Sequence, residues 1–140
     1  MRNLTREDQV REFMNAMGQE TEVAAPSAAL LEFRYTLIIE EVKELGEEMA
    51  IAMAESHFKT GLSAKTKSRL LKELADVQYV ISGLAETLGL PLQEAFNRVH
   101  ASNMSKLGDD GKPVYRADGK VLKGVNYVPP NMEDLFPEEE

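Results

Sequence analysis

Over residues 5–17, apolar side chains recur at Val10, Phe13, Met14 and Met17, three and four apart. That is the period of a helix with one covered side. Thr5 followed by Asp8 is a helix-start signal, and Gly18 is a stop. The segment QETEVAAPS reads as a linker. Ser27 then suits the N-cap of a long second helix with its stripe at Leu30, Phe33, Leu37, Leu45, Met49 and Ala52. His57 to Ser63 breaks the pattern around Gly61. A third helix is expected from about Lys65 to Leu88, stopped by Gly89. Its middle, ADVQYVISGLA, is apolar on nearly every side, the mark of a buried central helix. Pro91 opens a fourth, with Leu92, Ala95, Phe96 and Val99 as its stripe and an end near Lys106.

Beyond the fourth helix the pattern changes. PVYRADGKVLKG reads as a short β-hairpin around Asp118-Gly119, a two-residue turn signal. PPNMEDLFPEEE is proline-broken and acidic and is expected to be loosely held. The pattern predicts an all-α fold, a four-helix bundle with a short C-terminal β-hairpin or loop segment. Its organisation is one domain over residues 1–128 and an acidic tail over 129–140. A chain of 140 residues has room for one such core.

Composition narrows the function. The net charge of −8 disfavours a nucleic-acid or membrane-surface role. The chain has no cysteine, so disulfides, thiolate metal sites and cysteine nucleophiles are excluded. MRNLTREDQV holds no apolar run, no window approaches a membrane span, and a cytoplasmic protein is expected.

The candidate chemistry is carboxylate. In IEEVKELGEE, residues 39–48, five glutamates fall within an arc of roughly 120° on a helical wheel. Each like-charge pair costs about 0.2–0.5 kcal/mol on an exposed helix. Part of that arc points where the second helix should have its core stripe. The third helix carries Glu73 and Asp76, three apart and on one face. If the two long helices pack antiparallel, as a short connection favours, both sets converge without a lysine among them. Oxygen donors with no histidine or thiolate suit a hard divalent ion, Mg²⁺ before Mn²⁺. A di-iron bundle would need Glu-x-x-His pairs, but Ala54 and Asn97 stand three residues before His57 and His100. Asn103, Lys106, Lys112, Arg116, Lys120 and Lys123 form a glycine-punctuated, mostly basic segment suited to a polyphosphate.

The EExxE of residues 40–44 followed by the ExxD of 73–76 resembles the signature of the all-α nucleotide pyrophosphohydrolases, the MazG-like and dUTPase-like superfamily. HASNMSK at residues 100–106, YRADGK at 115–120 and VLKG at 121–124 are similar to single-domain members of phage and bacterial origin. The resemblance covers roughly Ser27 to Val128. It implies Mg²⁺-dependent cleavage of a nucleoside triphosphate to a monophosphate and pyrophosphate. By matching position it implies Glu41, Glu44, Glu73 and Asp76 as metal ligands and Glu40 as the catalytic residue that orients or deprotonates the attacking water, or else binds an additional ion. Asn103 and Lys106 would contact the nucleotide, and Lys120 and Lys123 its phosphates. A homodimer or homotetramer is expected, because an all-round apolar helix in a short chain needs cover and the family is similarly oligomeric. Two other readings stand beside this one: a phosphoribosyl-ATP pyrophosphohydrolase, and a non-catalytic helical interaction protein whose acidic face binds a basic partner.

Overall fold

A computed structural model describes residues 3–137. The chain is all-α with a C-terminal hairpin, the expected class. Four helices, α1 (Arg6–Ala16), α2 (Ala28–Phe58), α3 (Ala64–Leu88) and α4 (Leu92–Met104), precede strands β1 (Val114–Tyr115) and β2 (Val121–Leu122) and a 3-10 turn at Glu133–Leu135. The chain divides into two compact units, residues 1–90 and 91–140. No helix among the described residues is long and apolar enough to cross a membrane.

In the first unit the helix ends follow the cap chemistry. The Thr5 hydroxyl accepts from the Asp8 N–H, and the Asp8 carboxylate accepts from the Thr5 N–H, closing a capping box. Ser27 caps α2 through the Leu30 N–H, and Ser63 caps α3 through the Thr66 N–H. Gly89 ends α3 with φ +65°, the left-handed conformation that favours glycine. The linker between α1 and α2 completes that cap. The Glu22 and Val23 N–H groups donate to the Glu86 and Thr87 carbonyls at 2.9 and 2.8 Å, satisfying acceptors that a helix end leaves bare.

α3 packs against both α1 and α2. Against α2 it runs antiparallel. Arg34 lies beside Gly83, Glu41 and Glu44 lie beside Glu73 and Asp76, and Glu55 bonds the Thr66 hydroxyl and the Ser63 N–H. α1 is fastened to α3 by Arg11 Nε donating to Glu86 at 2.6 Å, and by the Ser82 hydroxyl donating to Glu7 at 3.1 Å.

The core departs from the expected stripes. Phe33 and Met49 are exposed, as are Tyr79 and Ile81 of the apolar middle of α3. The buried residues of α3 are instead Thr66 in its first turn and Ser82, Gly83, Ala85, Glu86 and Thr87 in its last two turns. The reason is close approach. Small residues let α3 take a guanidinium and the linker backbone against it, while Val77, Val80 and Leu84 stay only half-buried.

In the second unit β1 pairs antiparallel with β2 (Val114 with Leu122, Tyr115 with Val121). The turn is wider than the expected two residues. The Arg116 N–H donates to the Lys120 carbonyl at 2.8 Å across a three-residue loop, Ala117–Gly119, with Gly119 at φ +86°. Asp118 holds this loop by accepting from the Lys120 N–H and the Arg116 guanidinium. The stretch after Pro130, expected to be loosely held, is clasped to α4. Arg98 donates to the Asn131 carbonyl and, through two nitrogens, to the Asp134 carboxylate. The end of the acidic tail, residues 138–140, lies outside the described residues.

Candidate metal and nucleotide site

The long helices bring four carboxylates to one point. Glu41 and Glu44 of α2, and Glu73 and Asp76 of α3, each place one oxygen within 4.8 Å of the others. Positions three apart on each helix share a face, and antiparallel packing sets the two faces opposite each other. Glu44 is exposed, and the other three are half-buried. Glu41 Oε2 and Glu73 Oε2 are fully covered and have no hydrogen-bond partner. Buried carboxylate oxygens are normally satisfied, so two bare ones in one cluster call for a cation. Burial, then the neighbouring Glu44 and Asp76 charges, push the Glu41 carboxyl above its ordinary range, while Lys72 pulls the other way. An all-oxygen donor set of this charge fits a hard divalent ion.

One expectation fails here. The cluster does have a lysine partner: Lys72 Nζ stands 2.6 Å from Asp76 Oδ2 and 3.5 Å from Glu73 Oε1. These bonds hold the Lys72 ammonium protonated well above the ordinary lysine range. The signal was present, since Lys72 is next to Glu73 and four residues before Asp76 on one helix. Glu40 is exposed and lies outside the group of four.

Besides the four stand one more glutamate of the arc and an arginine that the sequence pattern does not single out. Glu48 Oε2 is covered and unpartnered, one turn beyond Glu44. Arg34 is only 6% exposed. Its Nη2 donates to Gln19 at 3.0 Å, its Nε has no partner, and burial lowers its pKa. A Cβ on Gly83 would stand 3.3 Å from Arg34 Nη1, so the glycine makes the room that the guanidinium occupies.

The expected substrate residues all lie in the second unit. Asn103 is exposed in the last turn of α4, and Lys106 is half-buried just after it. The Gly124 N–H donates to the Lys106 carbonyl at 3.1 Å, which brings the base of the hairpin to the end of α4. Lys120 is exposed on the hairpin, while Lys123 Nζ lies 4.8 Å from the centre of the Tyr127 ring.

Residues 10–103 fit the profile of the family described as phosphoribosyl-ATP pyrophosphohydrolase. That span contains all four clustered carboxylates and ends at Asn103, before the hairpin. Among curated proteins none matches the chain.

Proposed function

Because the chain belongs to the phosphoribosyl-ATP pyrophosphohydrolase family, and is therefore a pyrophosphohydrolase acting on a nucleotide-like substrate, we propose that it cleaves nucleoside triphosphates to monophosphates and pyrophosphate with Mg²⁺. The observation that carries this reading is the convergence of Glu41, Glu44, Glu73 and Asp76, with two bare buried oxygens among them.

These four residues would hold the ion. When bound, the ion neutralises charge on the phosphate oxygens and polarises a water. Glu40 stands next to Glu41 and is exposed, so its carboxylate is free to orient the attacking water and take its proton. Water adds at the α-phosphorus, the bond to the bridging oxygen breaks, and pyrophosphate leaves with that oxygen. Asn103 and Lys106 are assigned to the nucleotide, and Lys120 and Lys123 to its phosphates. For Lys123 this means exchanging the Tyr127 ring for a phosphate oxygen.

Phosphoribosyl-ATP is the second reading, and the family match favours it as directly. Its triphosphate would be cleaved at the same bond by the same acids. The basic hairpin segment lies beyond the matched residues and supports the nucleoside triphosphate reading. Phosphorus NMR of the products from a panel of (d)NTPs and phosphoribosyl-ATP separates the two. Pyrophosphate and a monophosphate are expected from the (d)NTPs. Turnover of phosphoribosyl-ATP alone would select the second reading, and orthophosphate as the only product would overturn both. A helical protein that merely binds a basic partner through its acidic face would turn over nothing.

The assembly is proposed to be a homodimer or homotetramer. Leu4 and Phe13 of the α1 side and Leu71, Leu74 and Tyr79 of α3 line an open apolar groove of about 900 Å³ and are all exposed. Only Val10, Met14, Ala52 and Ala85 are buried apolar residues among those described. Light scattering at micromolar concentration tests this, and a monomer there would refute it. A cytoplasmic location fits such a substrate.

A further inference from the structure

Lys72 is not accounted for by helix chemistry. Its pair with Asp76 is an i,i+4 pair with the base on the N-terminal side, the weaker orientation. Its side chain is 64% exposed, and exposed pairs of this kind contribute little. Yet the ammonium reaches two of the four clustered acids, at 2.6 and 3.5 Å. The cause is the field of the cluster: four formal negative charges within 4.8 Å of one another, with the Lys72 ammonium paired to two of them. The ammonium contacts Asp76 Oδ2, so it competes with any ion that draws on the Asp76 carboxylate.

We propose that Lys72 is the built-in counter-ion of the acidic cluster, displaced from Asp76 when a divalent ion binds and then free to donate to a phosphate oxygen of the substrate. The inference rests on the metal site proposed above. In the metal-free protein Lys72 offsets charge on Glu73 and Asp76 and so lowers the repulsion among the acids. With the ion in place, attraction to the carboxylates falls and the incoming triphosphate supplies the next negative charge. The same ammonium therefore offsets the acids in one state and meets the substrate in the other.

The test is calorimetric titration of the full chain with Mn²⁺ or Mg²⁺ in the absence of nucleotide, comparing wild type with Lys72→Met and Lys72→Arg. Met keeps the length of the stem and removes the charge. Lys72→Met is expected to bind the ion about five- to tenfold more tightly, the effect of deleting one competing charge at this range. Its KM for nucleotide should rise about threefold or more at little-changed kcat, and Lys72→Arg should restore both properties. Equal or weaker metal binding by Lys72→Met, in a protein whose wild type does bind the ion, overturns this inference and leaves the metal site standing. Tighter metal binding with an unchanged KM overturns the transfer to phosphate. A wild type that binds no divalent ion overturns the metal site and this inference together.

Discussion

Replacing Glu41 with glutamine should make the metal-free protein more stable and the enzyme inactive. The side chain keeps its shape and loses its charge. Glu41 faces three other carboxylates whose oxygens lie within 4.8 Å, where two unit charges repel by about 1 kcal/mol even in water. Glu44 is exposed, so its share is discounted for solvent, and loss of the attraction to Lys72 offsets another part. The net gain for Glu41→Gln in chelator is about 1–2 kcal/mol, or roughly 4–8 °C in Tm. In Mg²⁺ the order reverses. Wild type gains about 2.7 kcal/mol at a hundredfold excess over Kd, while the variant, short of one ligand, gains little. The pH dependence follows with a definite sign. The folded Glu41 carboxyl titrates above the unfolded value near 4.5. Its protonated form therefore adds stability that is fully present below that value and is lost as pH rises through the folded pKa. Metal-free wild type should gain stability as pH falls from neutral towards 5, and Glu41→Gln should lack that component. Differential scanning calorimetry in chelator and in Mg²⁺ reads every part. A variant less stable than wild type in chelator, or one that keeps the full Mg²⁺ response, refutes the reasoning.

Arg11→Met should destabilise the first unit by about 2–4 kcal/mol, because it strands Glu86, whose side chain is 5% exposed, without its cation. Urea unfolding measures this, and Arg11→Met/Glu86→Met should recover most of the loss. Gly124→Ala places a Cβ 2.8 Å from the Lys106 carbonyl oxygen and should cost the second unit about 1–3 kcal/mol, read as lost hydrogen-exchange protection at the hairpin. Lys106→Ala should leave the unfolding free energy within about 1 kcal/mol of wild type and lower kcat/KM about tenfold or more, the loss of one charged phosphate contact. Unchanged kinetics would remove Lys106 from the substrate site.

Local chemistry was legible in the chain wherever a few neighbouring residues decide the outcome. The Thr5–Asp8 box, the Ser27 cap and the Gly89 stop need only adjacent backbone groups, and they stand where the pattern puts them. The four-acid cluster was legible because two spacings and one packing direction place it. Which face of a helix is covered was not. Tyr79 and Ile81 belong to one apolar run with Ala85 yet are exposed, while Gly83 in the same run is buried because Arg34 must approach there. Arg34 itself reads as a solvent residue until Gly83 is seen opposite it. Asp118 and Gly119 alone signal a two-residue turn, tighter than the loop that forms. The Asp118 carboxylate, pulled down by the Arg116 guanidinium, organises Arg116 and Lys120 into the turn as well.

The two connections in the first unit look alike on paper, yet they have opposite tolerance for added sequence. The chain between α1 and α2 is stitched by its own N–H groups to the end of α3, and Glu22 there takes φ +53° against Gly89. An inserted peptide would tear out two bonds and uncap a helix. Between α2 and α3 the chain turns at Gly61, with open space around it, while Glu55 secures Ser63 and Thr66 from below. A tag, a reporter domain or new chain termini placed at Thr60–Gly61 leave those bonds in place, so this is where the molecule can be opened and extended with its acidic centre undisturbed.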